Sequence, residues 1–397
     1  MAKQKKILIL GGGQAQIELI KAALELGCYT IVAGIEGNYL GYALANKVCH
    51  VDIFNKEAIL KIAQDEEVDG VSMVCSDFGL QSLGYVNDKL SLSGMSESSA
   101  IVSSDKYKMK LALTKAGVNT PKFAIVETDE DVERALSMMS FPLIVKAVDL
   151  QGSRGIYICR SESEIYENYK KSISESRHNY CIIEEFIEGE EFGAQAFVYE
   201  QDVLFVLPHG DNVKKNGIVN IPIGHYMPLP SDMVSNEAVV SLVKNAIKAL
   251  GFNNTAVNVD LIVKDGTPYI IELTGRAGAN YLPEMTGAYW GIDYYKMILL
   301  CAMGESPRKY FDGRLGGYDA IATRMLYSKE SGVVKNISYN NSSNIRNIEL
   351  FVKKGDVVNK FSNSRDCVGR ILCVGKTVSE CATNIDEFVD NFKIELE

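Results

Sequence analysis

The stretch that decides the fold is AVNVDLIVKDGTPYIIELTGR, residues 256–276. The Asp265-Gly266 pair stands between two runs rich in β-branched residues, a pattern typical of a β-hairpin turn. We expect a three-residue loop, in which Lys264 pairs with Pro268. The stretch therefore predicts two adjacent antiparallel strands, whose register follows from the length of the loop.

Two acidic residues of this hairpin are expected to face each other. Counting back from the loop places Asp260 opposite Glu272, and two carboxylates between apolar strands repel unless a positive charge lies between them. The simplest such charge is a divalent cation with oxygen ligands, Mg²⁺ bridging phosphates, with Arg276 nearby. The alternative is an exposed hairpin face on which the acids pair with Arg276.

A lysine closes an apolar strand further upstream. Residues 142–147 read PLIVKA, and burial of Lys146 is costly unless it meets an anion. The loop 151–155 is rich in glycine and hydroxyl groups, and its backbone N–H groups suit phosphates. It is not a Walker A loop, because the order GxxxxGK[ST] is absent. Alone, this motif also fits a lysine that extends along the surface beside a turn.

The third motif, residues 180–192, carries a strand into an acidic segment. Glu184 and Glu185 precede an aromatic-aliphatic pair, and Glu191 comes after it. Such a segment could supply the hydrogen-bonding edge and the apolar wall of an adenine pocket, with a later carboxylate for the ribose. Taken alone, it is also typical of an acidic turn exposed to solvent. The order and spacing of the three motifs are together more specific than any one of them.

In this order, the motifs resemble those of the ATP-grasp superfamily of carboxylate–amine ligases, over nearly the whole chain. The resemblance implies an α/β and α+β fold with a Rossmann-like N-terminal domain, a two-lobed ATP-grasp fold and a β-rich C-terminal subdomain. We expect the Rossmann-like domain at 1–104, the linker helix and small lid lobe at 105–187, the core lobe with the metal site at 188–312, and the β-rich subdomain at 313–397.

The resemblance also implies which residues bind ATP. Lys106 corresponds to a phosphate-contacting lysine, Lys146 to the lysine between adenine and α-phosphate, and Glu184 to the acceptor of the adenine amino group. The backbone of Phe186 or Ile187 would contact the ring nitrogens. The full implied set is Lys106, Lys146, Gly152, Ser153, Gly155, Glu184, Glu185, Phe186, Ile187 and Glu191, the last for the ribose.

The same resemblance makes Asp260 and Glu272 the magnesium ligands and Arg276 the catalytic arginine that steadies the acyl-phosphate transition state. The chain departs from the family pattern at Thr274, where the family motif Glu-x-Asn-x-Arg has an asparagine as a further metal ligand. A threonine hydroxyl is a poorer ligand. We therefore expect Thr274 at the edge of the metal site and a lower occupancy of a second ion.

The implied activity is that of an ATP-dependent, ADP-forming ligase that activates a carboxylate as an acyl phosphate and joins it to an amine. We expect small-molecule substrates, an amino acid joined to an amine or a second amino acid, with ATP and Mg²⁺, or Mn²⁺ in its place, as cofactors. Alternatives are a phosphoribosylamine–glycine ligase of the purine type, a biotin-carboxylase-like enzyme, and a non-catalytic ATP-binding sensor. Family members are often dimers, so a homodimer is expected.

Two further polar segments are candidates for substrate contacts. Residues 276–283 resemble the segment that lines the acceptor pocket in amino-acid ligases of the superfamily. The stretch 208–225 is polar and lies between predicted strands, and each of its histidines also fits an ordinary loop position. Its candidate residues are His209, Asp211, Lys214, Lys215 and His225.

The N-terminal region alternates short apolar runs with helical patterns, which is the rhythm of a parallel sheet. A glycine turn, residues 11–13, follows the first strand, and Glu36 ends the second. The dinucleotide fingerprint requires a small residue where Gln16 stands, which argues against NAD. The turn fits helix packing, and a ribose-phosphate site there would suit the phosphoribosylamine alternative.

Composition sets the broad class. The chain has 397 residues, 47% hydrophobic and 23% charged, as in ordinary globular proteins, and a formal net charge of -10, which argues against nucleic acid and anionic membrane as partners. The nine cysteines form no CxxC pair and are expected to be reduced thiols. The first apolar run is too short for a signal peptide, and we expect a cytoplasmic protein.

Overall fold

The computed structural model describes residues 3–150, 154–216, 219–313 and 316–397. The chain forms two compact units, each built from several segments. The first comprises Met1–Leu207, Asp232–Ala279 and Asp293–Asp312, and the second Pro208–Ser231, Asn280–Ile292 and Gly313–Glu397. The bounds of the four predicted domains stay predictions, whereas the mixed α/β fold class is confirmed.

The first unit opens with a parallel four-stranded sheet and its helices. The elements are β1 (Lys6–Leu10), α1 (Ile17–Glu25), β2 (Tyr29–Gly34), β3 (Lys47–His50), α2 (Lys56–Glu66), β4 (Gly70–Ser72), α3 (Leu80–Leu90) and α4 (Glu97–Ser103). The strand order is β3-β2-β1-β4. After β4 the chain turns, and Cys75 has a positive φ of 61°. A 3-10 turn at Gln14–Gln16 precedes α1.

A smaller antiparallel sheet follows in the same unit. Its elements are α5 (Lys106–Lys115), β5 (Phe123–Val126), α6 (Asp129–Met138), β6 (Leu143–Ala147), β7 (Ile156–Cys159), α7 (Glu162–Glu175) and β8 (Cys181–Glu185), and the strand order is β5-β8-β6-β7. Buried apolar side chains from the sheet and from α6 and α7 form one core. The sequence starts each of these two helices with a cap, Thr128 on α6 and Ser161 on α7.

The next part of the chain contributes to both units. Its elements are β9 (Glu190–Tyr199), β10 (Asp202–Asn216), β11 (Val219–Met227), α8 (Asn236–Ala249), β12 (Thr255–Lys264), β13 (Thr267–Thr274), α9 (Leu282–Trp290) and α10 (Tyr294–Ala302). In the first unit, β13, β12 and β9 lie side by side in that order. The β12–β13 hairpin therefore lies at a sheet edge, where β12 is paired on both sides.

The hairpin turn differs from the predicted one. Lys264 pairs with Thr267 across a two-residue loop, so the predicted three-residue loop is wrong. Asp265 and Gly266 both have positive φ, 50° and 73°, which is the backbone of the tightest hairpin turns. A β-bulge between Asp260 and Leu261 then shifts the pairing by one residue, so Asp260 still lies opposite Glu272.

The second unit is mostly β. It adds β14 (Ala320–Tyr327), β15 (Gly332–Ser338), β16 (Ile345–Leu350), β17 (Val357–Val358), β18 (Cys367–Gly375), α11 (Val378–Asn391) and β19 (Lys393–Leu396). Its larger sheet has the order β10-β11-β14-β18-β16, and its smaller one the order β17-β15-β19. Residues from β14, β18 and α11 share one apolar core.

Two sequence expectations bear on the environment of the chain. Among the described residues, no helix is both long and apolar enough to cross a membrane. All nine cysteines are free thiols, as predicted. The cytoplasmic location stays a prediction.

Candidate nucleotide and metal site

Lys106, the first residue of α5, lies against the acidic hairpin. Asp105 caps the helix by accepting a hydrogen bond from the Lys108 N–H at 3.1 Å. This cap makes Lys106 the first residue of α5. The Lys106 Nζ lies 3.0 Å from Glu272 Oε1 and donates to the Leu150 carbonyl at 2.9 Å. Burial alone would lower the pKa of Lys106, but the Glu272 carboxylate outweighs it and raises that pKa. Lys106 is therefore a buried cation held on a predicted metal ligand.

Lys146 on β6 meets Glu184 on β8 inside the smaller sheet. The Lys146 Nζ lies 3.0 Å from Glu184 Oε2, and Glu184 is fully buried. The other carboxylate oxygen, Oε1, has no hydrogen-bond partner among the described residues. Although burial raises the pKa of Glu184, Lys110 and Lys146 lower it below its ordinary value. Glu184 thus presents an ionised, uncommitted acceptor, which fits the amino group of an adenine.

A third lysine, Lys110, completes this cluster. The sequence analysis did not predict it. It is fully buried, its Nζ lies 3.2 Å from Glu184 Oε2, and it donates to Thr120 Oγ1 at 2.9 Å. Thr120 in turn donates to the Ile270 carbonyl on β13 at 2.9 Å. Burial lowers the pKa of Lys110 to about 8. The available signal was its position four residues after Lys106, on the same face of α5.

Four polar side chains from β12 and β13 share one face of the hairpin. Asn258 lies opposite Thr274, just as Asp260 lies opposite Glu272. Asn258 accepts from Gln195 at 2.6 Å through Oδ1, and its amide nitrogen donates to Asp260 Oδ1 at 3.2 Å. The Thr274 side chain is only 3% exposed, and its Oγ1 has no partner among the described residues. Two carboxylates and a buried hydroxyl oxygen are a donor set that fits Mg²⁺, whereas the Asn258 amide oxygen already accepts from Gln195.

Arg276, two residues beyond β13, has a partner that the sequence did not indicate. Its Nε donates to Asp77 Oδ1 at 2.5 Å, and both side chains are 12% exposed. Burial alone would lower the pKa of Arg276, but the Asp77 carboxylate raises it. The Arg276–Asp77 pair is thus shielded from solvent, whereas Asp260 on the hairpin is exposed and the Glu272 side chain is 27% exposed. The exposed hairpin face stays an alternative prediction. Asp77 follows the carboxyl end of β4, a position where polar residues of parallel sheets often serve a site.

The remaining predicted contacts lie around the end of β8. The Phe186 N–H donates to the Pro142 carbonyl at 3.2 Å, so of the two candidate backbone donors Ile187 is the better one. Glu185 ends the strand, and Glu191 lies on β9 opposite Ile262. Gly155 has a φ of 63°, and a Cβ there would come within 2.7 Å of the Ala147 side chain. Gly152 and Ser153 lie outside the described residues.

The glycine turn after β1 is filled by the protein itself. A Cβ on Gly12 would lie 2.4 Å from the Tyr42 ring, whose hydroxyl donates to the Ile35 carbonyl at 2.7 Å. The Gln16 side chain is buried and donates to the Val74 carbonyl at 2.9 Å. These contacts account for the glycine by packing.

The polar stretch 208–225 belongs to the second unit, and the expectation that it lies between strands is wrong: His209 and Asp211 are on β10 and His225 is on β11. His209 and His225 both contact Asp211, and the Lys214 Nζ lies 4.0 Å from the centre of the Tyr327 ring. Burial lowers the pKa of His209 despite the neighbouring carboxylate. The Lys215 side chain lies outside the described part of the structure. The three residues His209, Asp211 and His225 thus form a cluster of their own, considered below.

Comparison with known proteins defines the class. Family models match at two places, an ATP-grasp domain over residues 103–280 and the L-amino acid ligase C-terminal domain 2 over residues 324–397. Phosphoribosylglycinamide synthetase from Anaerococcus prevotii is 41% identical, covers 100% of both chains and has a TM-score of 0.86. L-amino acid ligase from Bacillus licheniformis is 21% identical over 100% of both chains, with a TM-score of 0.83.

A further relative is D-alanine–D-alanine ligase from Coprothermobacter proteolyticus, 33% identical over 47% of this chain and 62% of that protein. The chain therefore belongs to the ATP-grasp superfamily of ligases, which form carbon–nitrogen bonds and use ATP. The roles of the individual site residues stay predictions.

Proposed function

We propose that this chain joins the carboxylate of an amino acid to an amine or to a second amino acid, through an acyl phosphate, with release of ADP. Membership in the ATP-grasp superfamily supports the reaction type, and the match of residues 324–397 to L-amino acid ligases supports the substrate class. The observation that carries the proposal is the ion pair between buried Lys106 and partly exposed Glu272. Glu272 lies opposite Asp260, on the strand that leads to Arg276.

Glu184 would bind the adenine of ATP. Its free Oε1 is an acceptor for the exocyclic amino group, and the Ile187 N–H is a donor for a ring nitrogen. Lys146, already on Glu184, would reach the α-phosphate. An acceptor at this position disfavours guanine, whose carbonyl oxygen would face a carboxylate.

The phosphate end would lie at the hairpin. Asp260 and Glu272 would hold Mg²⁺, or Mn²⁺ in its place, which when bound neutralises charge on the transferring phosphoryl group. Lys106 would contribute a fixed positive charge at the same place. Asn258, opposite Thr274, would orient Asp260 for this role, because its amide nitrogen donates to Asp260 Oδ1.

The reaction itself needs positioning rather than a side-chain nucleophile. A carboxylate oxygen attacks the γ-phosphorus and ADP leaves; the amine nitrogen then attacks the acyl carbon, phosphate leaves, and one proton is lost. Arg276 would hold the carboxylate and the acyl phosphate through the guanidinium nitrogens that face away from Asp77.

A phosphoribosylamine–glycine ligase is the second candidate. The relative that is 41% identical over the whole chain favours it. It would need room for a ribose phosphate, and the glycine turn that the sequence offered for this is packed against Tyr42. We therefore rank it below amino-acid ligation.

The test is release of ADP and phosphate from Mg-ATP across single and paired amino acids, with phosphoribosylamine plus glycine and bicarbonate plus biotin as further arms. Release that requires one amino-acid pair, with a product of the summed mass minus water, would establish the proposal. Release only with phosphoribosylamine and glycine would replace it by the second candidate. ATP binding without release in any arm would contradict both.

A further inference from the structure

Three polar side chains converge on one face of the β10–β11 hairpin in the second unit. His209 and Asp211 are two residues apart on β10, so their side chains leave the same face. His225 on β11 is the direct cross-strand partner of Asp211. Gly210, between them, leaves space on the other face that the Tyr226 ring fills. The register therefore assembles two imidazoles and one carboxylate from two strands.

Both imidazoles contact the same oxygen atom of Asp211. Asp211 Oδ1 lies 3.0 Å from His209 Nδ1 and 2.6 Å from His225 Nδ1. One donor atom from each residue lies within 4.8 Å of the other two. Ligand atoms around a tetrahedral metal with bonds of about 2.1 Å are about 3.4 Å apart, so the two contacts of Asp211 Oδ1 would have to lengthen slightly to admit a metal.

Burial keeps water away from both imidazoles. His209 and His225 are 2% and 4% exposed, and the Nε2 atom of each has no hydrogen-bond partner among the described residues. A buried ring nitrogen without a partner is costly, and native proteins usually satisfy such atoms with a ligand or ion. In the part of the chain that the structure describes, each ring thus has its Nδ1 on Asp211 and an unsatisfied Nε2 on its other side.

The surroundings suit a cation. The one negative charge of the cluster is Asp211, and the nearby Lys214 has its ammonium over the Tyr327 and Phe361 rings, at 4.0 and 5.0 Å. The backbone of His225 is itself fixed, because its N–H donates to Thr323 Oγ1 at 3.0 Å. A rigid pair of strands thus holds the donors in place.

We propose that His209, Asp211 and His225 form a binding site for a divalent transition metal such as Zn²⁺. Two imidazole nitrogens and one carboxylate oxygen are ligands of borderline softness, which favour Zn²⁺, Co²⁺ or Ni²⁺ over Mg²⁺. The set differs from the all-oxygen hairpin of the first unit. Three protein ligands leave at least one coordination position open to water or to a substrate group.

The experiment uses the full chain, stripped with a chelator and then kept in excess Mg²⁺ so that the oxygen site is filled. Co²⁺ is added, and uptake is followed by its visible absorption and by equilibrium dialysis. We expect one equivalent bound and displaced by Zn²⁺. His209→Gln, His225→Gln and Asp211→Asn should each weaken binding by about a hundredfold or more, because each removes one of three ligands.

The chain offers matched controls, because its only other histidines are His50 and His178. His50→Gln and His178→Gln should bind Co²⁺ like the wild type. X-ray absorption of the wild-type Zn²⁺ form needs no variant, so a folding defect cannot mask the result, and it should show two imidazoles. No Co²⁺ uptake, an all-oxygen shell, or uptake unchanged in the three site variants would each overturn the proposal.

Discussion

Arg276 is the side chain whose removal should separate catalysis from folding. Because its guanidinium would stabilise charge only as the acyl phosphate forms, Arg276→Ala should reduce ADP release by at least about a hundredfold. The variant leaves Asp77 partly buried and unpaired, so some stability should be lost as well. The control is Arg276→Ala combined with Asp77→Asn, which should regain stability but not activity. A near-normal rate in Arg276→Ala would contradict its assigned role.

Thr274 occupies the place of the asparagine in the family motif, and Asn258 on the opposite strand orients Asp260. Thr274→Asn restores that motif and should tighten Mn²⁺ binding in the presence of ADP by up to about tenfold, whereas Asn258→Ala should weaken it by a similar factor. Electron paramagnetic resonance of free Mn²⁺ measures both. Unchanged Mn²⁺ affinity in Asn258→Ala would contradict a role of its amide in orienting Asp260.

Lys110 should make stability depend on pH in a specific direction. Its pKa of about 8 in the folded protein lies below the value of about 10.4 for an unfolded chain, so between these values the unfolded state binds more protons. The unfolding free energy of the wild type relative to Lys110→Met should therefore rise with pH in this window, by at most about 1.4 kcal/mol per pH unit. Urea unfolding of both proteins from pH 7 to pH 10 measures this difference in unfolding free energy. A difference that stays constant or falls with pH would contradict the lowered pKa of Lys110.

At the scale of elements, the start of α5 couples helix stability to phosphate binding. Asp105→Ala removes the cap of the helix whose first residue is Lys106, at a cost of about 1 kcal/mol, and should raise the KM for ATP. Asp105→Asn keeps an acceptor and should behave like the wild type. Thr128→Ala removes the cap of α6 and should cost similar stability without changing KM. If Asp105→Ala and Thr128→Ala changed the KM for ATP equally, the effect of Asp105 on ATP binding would not be local to the start of α5.

In the β12–β13 hairpin, the register depends on the turn and on a β-bulge together. The predicted loop was one residue too long, yet Asp260 and Glu272 still face each other because a bulge compensates for the tighter turn. A two-residue turn follows from Asp265-Gly266 locally, whereas the bulge depends on the pairing of β12 with both of its neighbours. Periodicity in one sequence does not record such an insertion.

At the scale of the whole molecule, the two proposed ligands should stabilise different units. A ligand that binds only the folded state adds about 2.7 kcal/mol at a hundredfold excess over its Kd. Differential scanning calorimetry should show ADP with Mg²⁺ stabilising the wild type but not Glu184→Gln, and Zn²⁺ stabilising the wild type but not Asp211→Asn. If Glu184→Gln also abolished the stabilisation by Zn²⁺, the two sites would not be independent.

The sequence by itself determined the fold class, most strand and helix positions, and the motifs around Lys146, Glu184 and Glu272. Patterns with periods of 2 and 3.6 residues and turn residues are local, so they can be read without coordinates. Only the tertiary structure decided the partners: Asp77 for Arg276 across 199 residues, Lys110 for Glu184, and the histidine pair on Asp211. Such pairs depend on which distant strands and helices become neighbours, and no local pattern encodes that choice.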